Sequence, residues 1–135
     1  MDNRYAARTF AAAGIFNILV GAATFLAPDR TATLMGISLP ANRLFLHLST
    51  WLVVVFGIGY CLVALHPERN RDLMLLGGLG KILVLPIMLA AWRRGDVGAS
   101  GVAASAVDFV FALLFFDVLR RTGEAAREVA TSRRS

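Results

Sequence analysis

Four long apolar runs separated by short polar stretches dominate the pattern of hydrophobic and polar positions along the chain. They lie at about 8–27, 44–65, 73–92 and 98–119, and a transmembrane helix needs about 20 mostly apolar residues. None of the runs has charged residues recurring at helical spacing, as the exposed face of a soluble bundle helix requires. The pattern therefore predicts an all-α integral membrane protein, an up-down-up-down bundle of four spans.

Proline, glycine and charged residues predict the connections between the spans. Residues 28–43 are too few to cross a membrane and too apolar for a simple loop, so we expect a short interfacial segment there. Asp29 or Thr31 is expected to cap a short helix that ends at Gly36. Pro67, within the charged stretch HPERNRD, predicts a tight turn between the second and third spans.

The composition agrees with a membrane location. Hydrophobic residues make up 57% of the 135 positions and the mean hydropathy is +0.64, whereas soluble domains are ~45–50% apolar. The length predicts one transmembrane domain, 1–135, with a basic mobile tail at 120–135. The single cysteine, Cys61, cannot form an internal disulfide and is interpreted as a small buried hydrophobe.

The distribution of arginine predicts the orientation of the chain. The net charge is +5, and nine arginines belong to the N-terminal segment, the second connection and the tail, against four in the first and third connections. Because cytoplasmic segments carry the excess of basic residues, both termini are predicted to be cytoplasmic, in a bacterial cytoplasmic (inner) membrane. Basic residues at span ends also contact lipid head groups, and no interleaved basic and aromatic surface indicates a nucleic acid partner.

The third and fourth spans each carry one charged residue near the middle, Lys81 and Asp108. A charge in such a run costs roughly 2.5–3.5 kcal/mol on insertion scales, so it is usually paired or functional. Counted at ~1.5 Å per residue from the span ends, these two residues and Asn17 of the first span come out near the bilayer midplane. We therefore expect an ion pair or a ligand-binding site formed by Lys81, Asp108 and Asn17.

Four other polar residues are secondary candidates: His47, Thr50, Ser105 and Tyr60. Thr50 continues the helical face of His47, whereas Tyr60 points well away from that face and lies towards the inner side of the membrane. Ser105 shares a stripe of small residues with Asp108, which predicts that this face is turned towards protein.

No metal site or cofactor is expected from the sequence. His47 is placed near the outer face, too far in depth from Lys81 and Asp108 for a compact triad. His47 and His66 fall on opposite sides of the membrane and the only cysteine is isolated, so no set of metal ligands converges.

Three stretches, HLSTWLVVVFGIGY, HPERNRDLMLLGGLGK and AVDFVFALLFF, resemble a group of uncharacterised small bacterial four-span membrane proteins over roughly residues 45–118. The resemblance is carried by Gly59–Tyr60, Pro67, Gly80–Lys81 and Asp108. It implies the four-span topology and no particular chemistry. In size the chain is also similar to small multidrug-resistance transporters, but its first span has Asn17 and no glutamate, so their mechanism is not carried over.

Three function classes fit these residues. A binding or transport module would hold a small or lipophilic ligand, with Lys81 engaging an anionic group and Asp108 a cationic one. A membrane enzyme would use Asp108 as general acid or base and Lys81 as electrostatic stabiliser or nucleophile on a lipophilic substrate. An accessory subunit would dock onto a second copy or a larger membrane partner through its small-residue stripes.

A fourth interpretation is structural: a buried Lys81–Asp108 pair that fixes the register of the helices. The first function class is favoured because every span has a polar face, which suggests that the bundle encloses something. An enzymatic role is left open, and the sequence gives no feature that favours it.

Overall fold

The computed structural model describes residues 3–132, except for the side chains of 125–131, and this part of the chain is helical without a strand. All but one of the α-helices are long and apolar enough to cross a membrane. The predicted all-α fold with four apolar spans is confirmed. The helices are α1 (Asn3–Leu26), α2 (Pro28–Met35), α3 (Arg43–Leu65), α4 (Arg71–Arg93) and α5 (Ala99–Ser132), with a 3-10 turn (Pro67–Arg69) between α3 and α4.

The last helix is longer than the predicted span. α5 continues to Ser132, so the segment 120–135, predicted as a tail, begins inside this helix, and residues 133–135 lie outside the described part of the chain. Thr122 is buried and its hydroxyl donates to the carbonyl of Val118 at 3.0 Å. Packing of α5 against the bundle therefore extends beyond residue 119.

The short helix α2 ends where the sequence predicts and begins differently. Gly36 ends it in the left-handed conformation, with φ 63°, which glycine adopts without steric cost. The predicted cap by Asp29 or Thr31 is wrong, since no side chain in the described part of the chain caps this helix. Pro28 at its first position has no N–H to satisfy, Thr31 donates to the carbonyl four residues before it, and Asp29 accepts from Arg43 at 3.2 Å.

The four long helices pack most closely as two pairs, α1 with α3 and α4 with α5. At the first crossing a Cβ on Gly14 would lie 2.8 Å from the carbonyl oxygen of Gly57, so the two backbones touch. An aromatic core joins the pairs: Phe115 of α5 stacks on Phe10 of α1 with ring centroids 4.0 Å apart, and Tyr60 of α3 meets Phe115 edge-on at 5.0 Å.

The start of α1, the turn after α3 and the C-terminal part of α5 lie together at one end of the bundle, here called the terminal end. Asn3 donates to Glu68 in the turn at 2.8 Å, and the Tyr5 hydroxyl donates to Asp117 at 3.2 Å. The opposite end is the α2 end. There a 2.9 Å backbone hydrogen bond joins Gly98, just before α5, to the glycine that ends α2.

Candidate functional site

The two charged residues of the spans meet near the middle of the bundle. Lys81 on α4 donates from Nζ to Oδ1 of Asp108 on α5, and at 2.8 Å to Oδ1 of Asn17 on α1. The amide nitrogen of Asn17 in turn donates to the carbonyl of Val53 on α3, at 3.4 Å. We call Lys81, Asp108 and Asn17 the polar cluster. All four long helices therefore contribute to it or hold it in place.

Aromatic rings surround the ammonium of Lys81. Its Nζ lies 5.9 Å from the ring centroid of Phe16, 5.5 Å from that of Tyr60 and 5.6 Å from that of Phe111. A cation within about 6 Å of an aromatic face is attracted by the negative potential of the ring. The rings thus stabilise a positive charge that the apolar interior alone would penalise.

Glycines on α4 make room for aromatic rings of the neighbouring helices. A Cβ on Gly77 would lie 2.5 Å from Cε1 of Tyr60, and one on Gly78 would lie 3.0 Å from the tip of Phe116. Gly80 differs from both, because no atom of the described residues lies within 4 Å of the position of its Cβ. Gly77 and Gly78 therefore make room for aromatic side chains, whereas Gly80 borders open space.

That open space is a cleft of about 320 Å³ lined by residues of all four long helices. Asp108, Lys81 and Asn17 supply its polar wall. The exposed residues Leu52 and Gly80 belong to its rim, so the cleft opens sideways on the surface that faces lipid. The rest of the lining is mainly aliphatic or aromatic, and includes Val20, Val53, Phe56 and Val84.

The two charged partners of the cluster differ in their access to the cleft. The side chain of Lys81 is 5% exposed, whereas that of Asp108 is 22% exposed. The lysine is held between its partners and the rings, and the carboxylate is the more exposed of the two charged groups in the cleft wall. The sequence does not distinguish Lys81 from Asp108 as a contact for a ligand, whereas the structure gives Asp108 the greater exposure.

Tyr60 belongs to this site, contrary to what its helical position suggests. It is 2% exposed, lines the cleft and contacts the ammonium of Lys81. The reason is that α3 has two buried faces: Thr50 and Gly57 pack towards α1, and Tyr60 packs towards the bundle centre. Tyr60 does point away from the face of Thr50, but that direction leads into the core.

The other secondary candidates do not join the polar cluster. Thr50 is buried where α3 crosses α1, and Ser105 is buried with its hydroxyl donating to the carbonyl of Val102 in its own helix, at 2.7 Å. His47 lies nearer the α2 end, where its ring meets Phe25 edge-on with centroids 5.0 Å apart. Its Nδ1 is buried and has no hydrogen-bond partner among the described residues.

Phe16 and Phe111 are the site residues that sequence reasoning missed. Phe16 directly precedes Asn17, and Phe111 lies three positions after Asp108, which puts it on the same side of α5. Aromatic residues are so frequent in these spans that this spacing alone does not distinguish a ring around a cation from one facing lipid.

Within the described part of the chain, no group of three or more His, Cys, Asp and Glu side chains is placed to hold a metal ion. Comparison of the chain with protein-family models, with curated proteins and with solved structures gives no match. The resemblance to small four-span proteins therefore stays a prediction, and the function has to be argued from the geometry of the site.

Proposed function

We propose that this small polytopic membrane protein binds or transports a small or lipophilic ligand in the cleft beside Lys81 and Asp108. One observation carries the proposal: the carboxylate of a central ion pair lines a cleft of about 320 Å³ that opens towards lipid. Small-molecule sites are typically ~300–1,000 Å³, mostly apolar, with a few polar groups that fix orientation.

A purely structural role for the ion pair accounts for less of this geometry. A pair that only sets helix register is best served by dry, close-packed surroundings, because a cavity forfeits contacts along its walls. Here the side chain of Asp108 is 22% exposed and borders the cleft. The open space beside it is better explained by a second molecule that occupies it.

The same contacts favour binding over catalysis. In the ion pair the Lys81 nitrogen is an ammonium, which has no lone pair and is not a nucleophile. His47 lies nearer the α2 end and the Ser105 hydroxyl donates to Val102, so among the described residues neither is hydrogen-bonded to Asp108 as a base or nucleophile. What remains is a polar contact point inside an apolar cleft, which suits recognition.

The test is photolabelling of the purified protein in phospholipid nanodiscs. Four probes share a hexadecyl chain with a diazirine and differ in their head group: a hydroxyl, a methyl ether, a primary amine or a carboxylic acid. Labelled positions are mapped by mass spectrometry of peptides. We expect at least one probe to label peptides that carry cleft residues such as Val53 and Val84.

Two tryptophan variants of α4 make the test specific for the cleft. Gly80→Trp fills the cleft from a position where nothing lies within 4 Å, whereas Leu83→Trp adds the same ring at an exposed position outside the lining. Cleft labelling should fall to the lipid-facing background in the first and persist in the second. Val84→Trp serves as a second filling variant if Gly80→Trp does not fold, and equal labelling of filled and control variants would overturn the proposal.

A further inference from the structure

Two of the three donor groups of Lys81 are used in hydrogen bonds within the protein. An ammonium has three N–H bonds, and that of Lys81 donates to Asp108 and to Asn17 while three rings lie 5.5–5.9 Å away. With its side chain 5% exposed, it has little surface to offer a ligand in the cleft. An anionic ligand in the cleft would compete with the Asp108 carboxylate for this ammonium.

Asp108, in contrast, has an unused acceptor. Its Oδ1 receives the hydrogen bond from Lys81, and its Oδ2 has no partner among the described residues. Oδ2 is not fully enclosed by protein, and Asp108 lines the cleft. A carboxylate oxygen only accepts, so the complementary group on a ligand is a hydrogen-bond donor.

The charge balance of the site then distinguishes between a cationic and a neutral hydrogen-bond donor on the ligand. Lys81 and Asp108 together carry no net charge, and among the described residues Lys81 is the cation that pairs with this carboxylate. A cationic ligand would bring a second positive charge beside Lys81 without a second anion, in an environment where an unpaired charge is heavily penalised. A neutral donor, such as a hydroxyl, satisfies Oδ2 and leaves the net charge at zero.

The apolar lining of the cleft indicates the chemistry of the rest of the ligand. Val20, Leu52, Phe56 and Val84 present hydrocarbon surface, and the opening of the cleft lies on the lipid-facing side rather than at an end of the bundle. A molecule that enters there comes from the hydrocarbon region of the membrane. It therefore has an apolar body, and its polar group is small enough to reside near the bilayer midplane.

We infer that the ligand is a neutral lipophilic alcohol or phenol whose hydroxyl donates to Oδ2 of Asp108. This inference rests on the proposed function and adds the chemical class of the ligand to it. Asn17 and the three rings act as positioning groups: they hold Lys81 against one carboxylate oxygen and so leave the other oxygen directed to the ligand.

The experiment compares head groups in the same photolabelling assay. We expect the alcohol probe to label the cleft about tenfold more than its methyl ether, because the ether has no hydrogen to donate to a charged acceptor. The amine and the acid should label less than the alcohol. An excess of unlabelled hexadecanol should compete with the alcohol probe, whereas hexadecyl methyl ether should compete weakly.

A double variant assigns the preference to the carboxylate. Lys81→Met together with Asp108→Leu removes both charges and leaves none unpaired, so we expect the alcohol-to-ether ratio to fall towards one in folded protein. A ratio that survives in this variant, an ether equal to the alcohol in the wild type, or a stronger amine or acid would overturn the alcohol assignment while cleft labelling upholds the proposed function. Absence of cleft labelling by every probe would overturn both.

Discussion

Lys81 is a charged residue that is almost fully buried, so the cost of removing its charge from water has to be offset by contacts within the protein. It is 4% exposed overall, and its partners are one carboxylate, one amide and three aromatic rings. Asp108 is less dependent on the pair, because its side chain retains 22% exposure at the cleft. The two halves of the same ion pair should therefore respond differently to substitution.

Removing the carboxylate should be the more damaging single change. Asp108→Leu leaves an unpaired ammonium among rings and hydrocarbon, and we expect a loss of about 3–5 kcal/mol in the free energy of unfolding, as for other broken buried pairs. Lys81→Met should cost less, because the remaining carboxylate borders the cleft and keeps part of its exposure. Unfolding by SDS in mixed micelles measures both.

The double replacement is the control for this prediction. With Lys81→Met and Asp108→Leu combined, no charge is left unpaired, and most of the stability lost in Asp108→Leu should return. The coupling in a double-mutant cycle should then be well above the ~0.3–0.5 kcal/mol scatter of independent sites. Additive losses would contradict a coupled pair.

At the scale of elements, two kinds of helix contact divide the bundle. α1 and α3 touch backbone to backbone, because Gly14 and Gly57 face each other's carbonyl oxygens at 2.8–2.9 Å from the position of a Cβ. α3 and α4 pack less closely, and on the side of the cleft towards the terminal end an aromatic ring, Tyr60, fills the space over Gly77. Beside Gly80, nearer the middle of the bundle, no ring of the described residues fills the space between the helices, and the cleft lies there.

Substitution of Gly57 should test the close crossing. Gly57→Ala places a methyl group 2.9 Å from the carbonyl oxygen of Gly14, where backbone has to move, so we expect a loss of about 1–3 kcal/mol in the free energy of unfolding. Gly59→Ala is the matched control on the same helix. Its methyl would meet only Leu73, at 3.4 Å, and should change stability little. Equal effects at both positions in SDS unfolding would show that the crossing is not tight.

The sequence predicts the helices better than their contacts, for a physical reason. The thickness of the hydrocarbon region sets the length of each span, so its position is visible as an apolar run. The buried stripe with Gly77 and Lys81 follows from spacing on one helix, as does the placement of Ser105 and Asp108 on one side of α5. Tyr60 is different, because a helix in lipid can have two protein-facing sides and hydrophobicity distinguishes neither of them from a lipid-facing side.

For the whole molecule, depth in the membrane predicts which polar residues can meet, and crossing geometry decides how. Lys81, Asp108 and Asn17 are expected at one depth, and the structure brings them together. The ring cage, the unequal exposure of the two charges and the cleft depend on how far the helix pairs separate. That separation is set by glycines and aromatic rings from several helices, so no single segment contains it.

The distribution of arginine predicts how the molecule is oriented in the membrane. The terminal end and the tail carry nine arginines in their sequence segments and the α2 end carries four, so we expect the terminal end in the cytoplasm. The test needs a background without Cys61, obtained with Cys61→Ala. Single cysteines then report each end: Ser38→Cys at the α2 end and Glu68→Cys at the terminal end, both at exposed positions.

A membrane-impermeant maleimide applied to intact bacteria should label the protein with Ser38→Cys, because the α2 end is expected to face outward. The protein with Glu68→Cys should be labelled only after the cells are permeabilised. Labelling of both after permeabilisation is the control for folding and reactivity. The reverse pattern would place the terminal end outside, and equal labelling in intact cells would indicate two orientations. The cleft does not depend on the orientation, because its opening lies between the two ends of the bundle and faces lipid in either orientation.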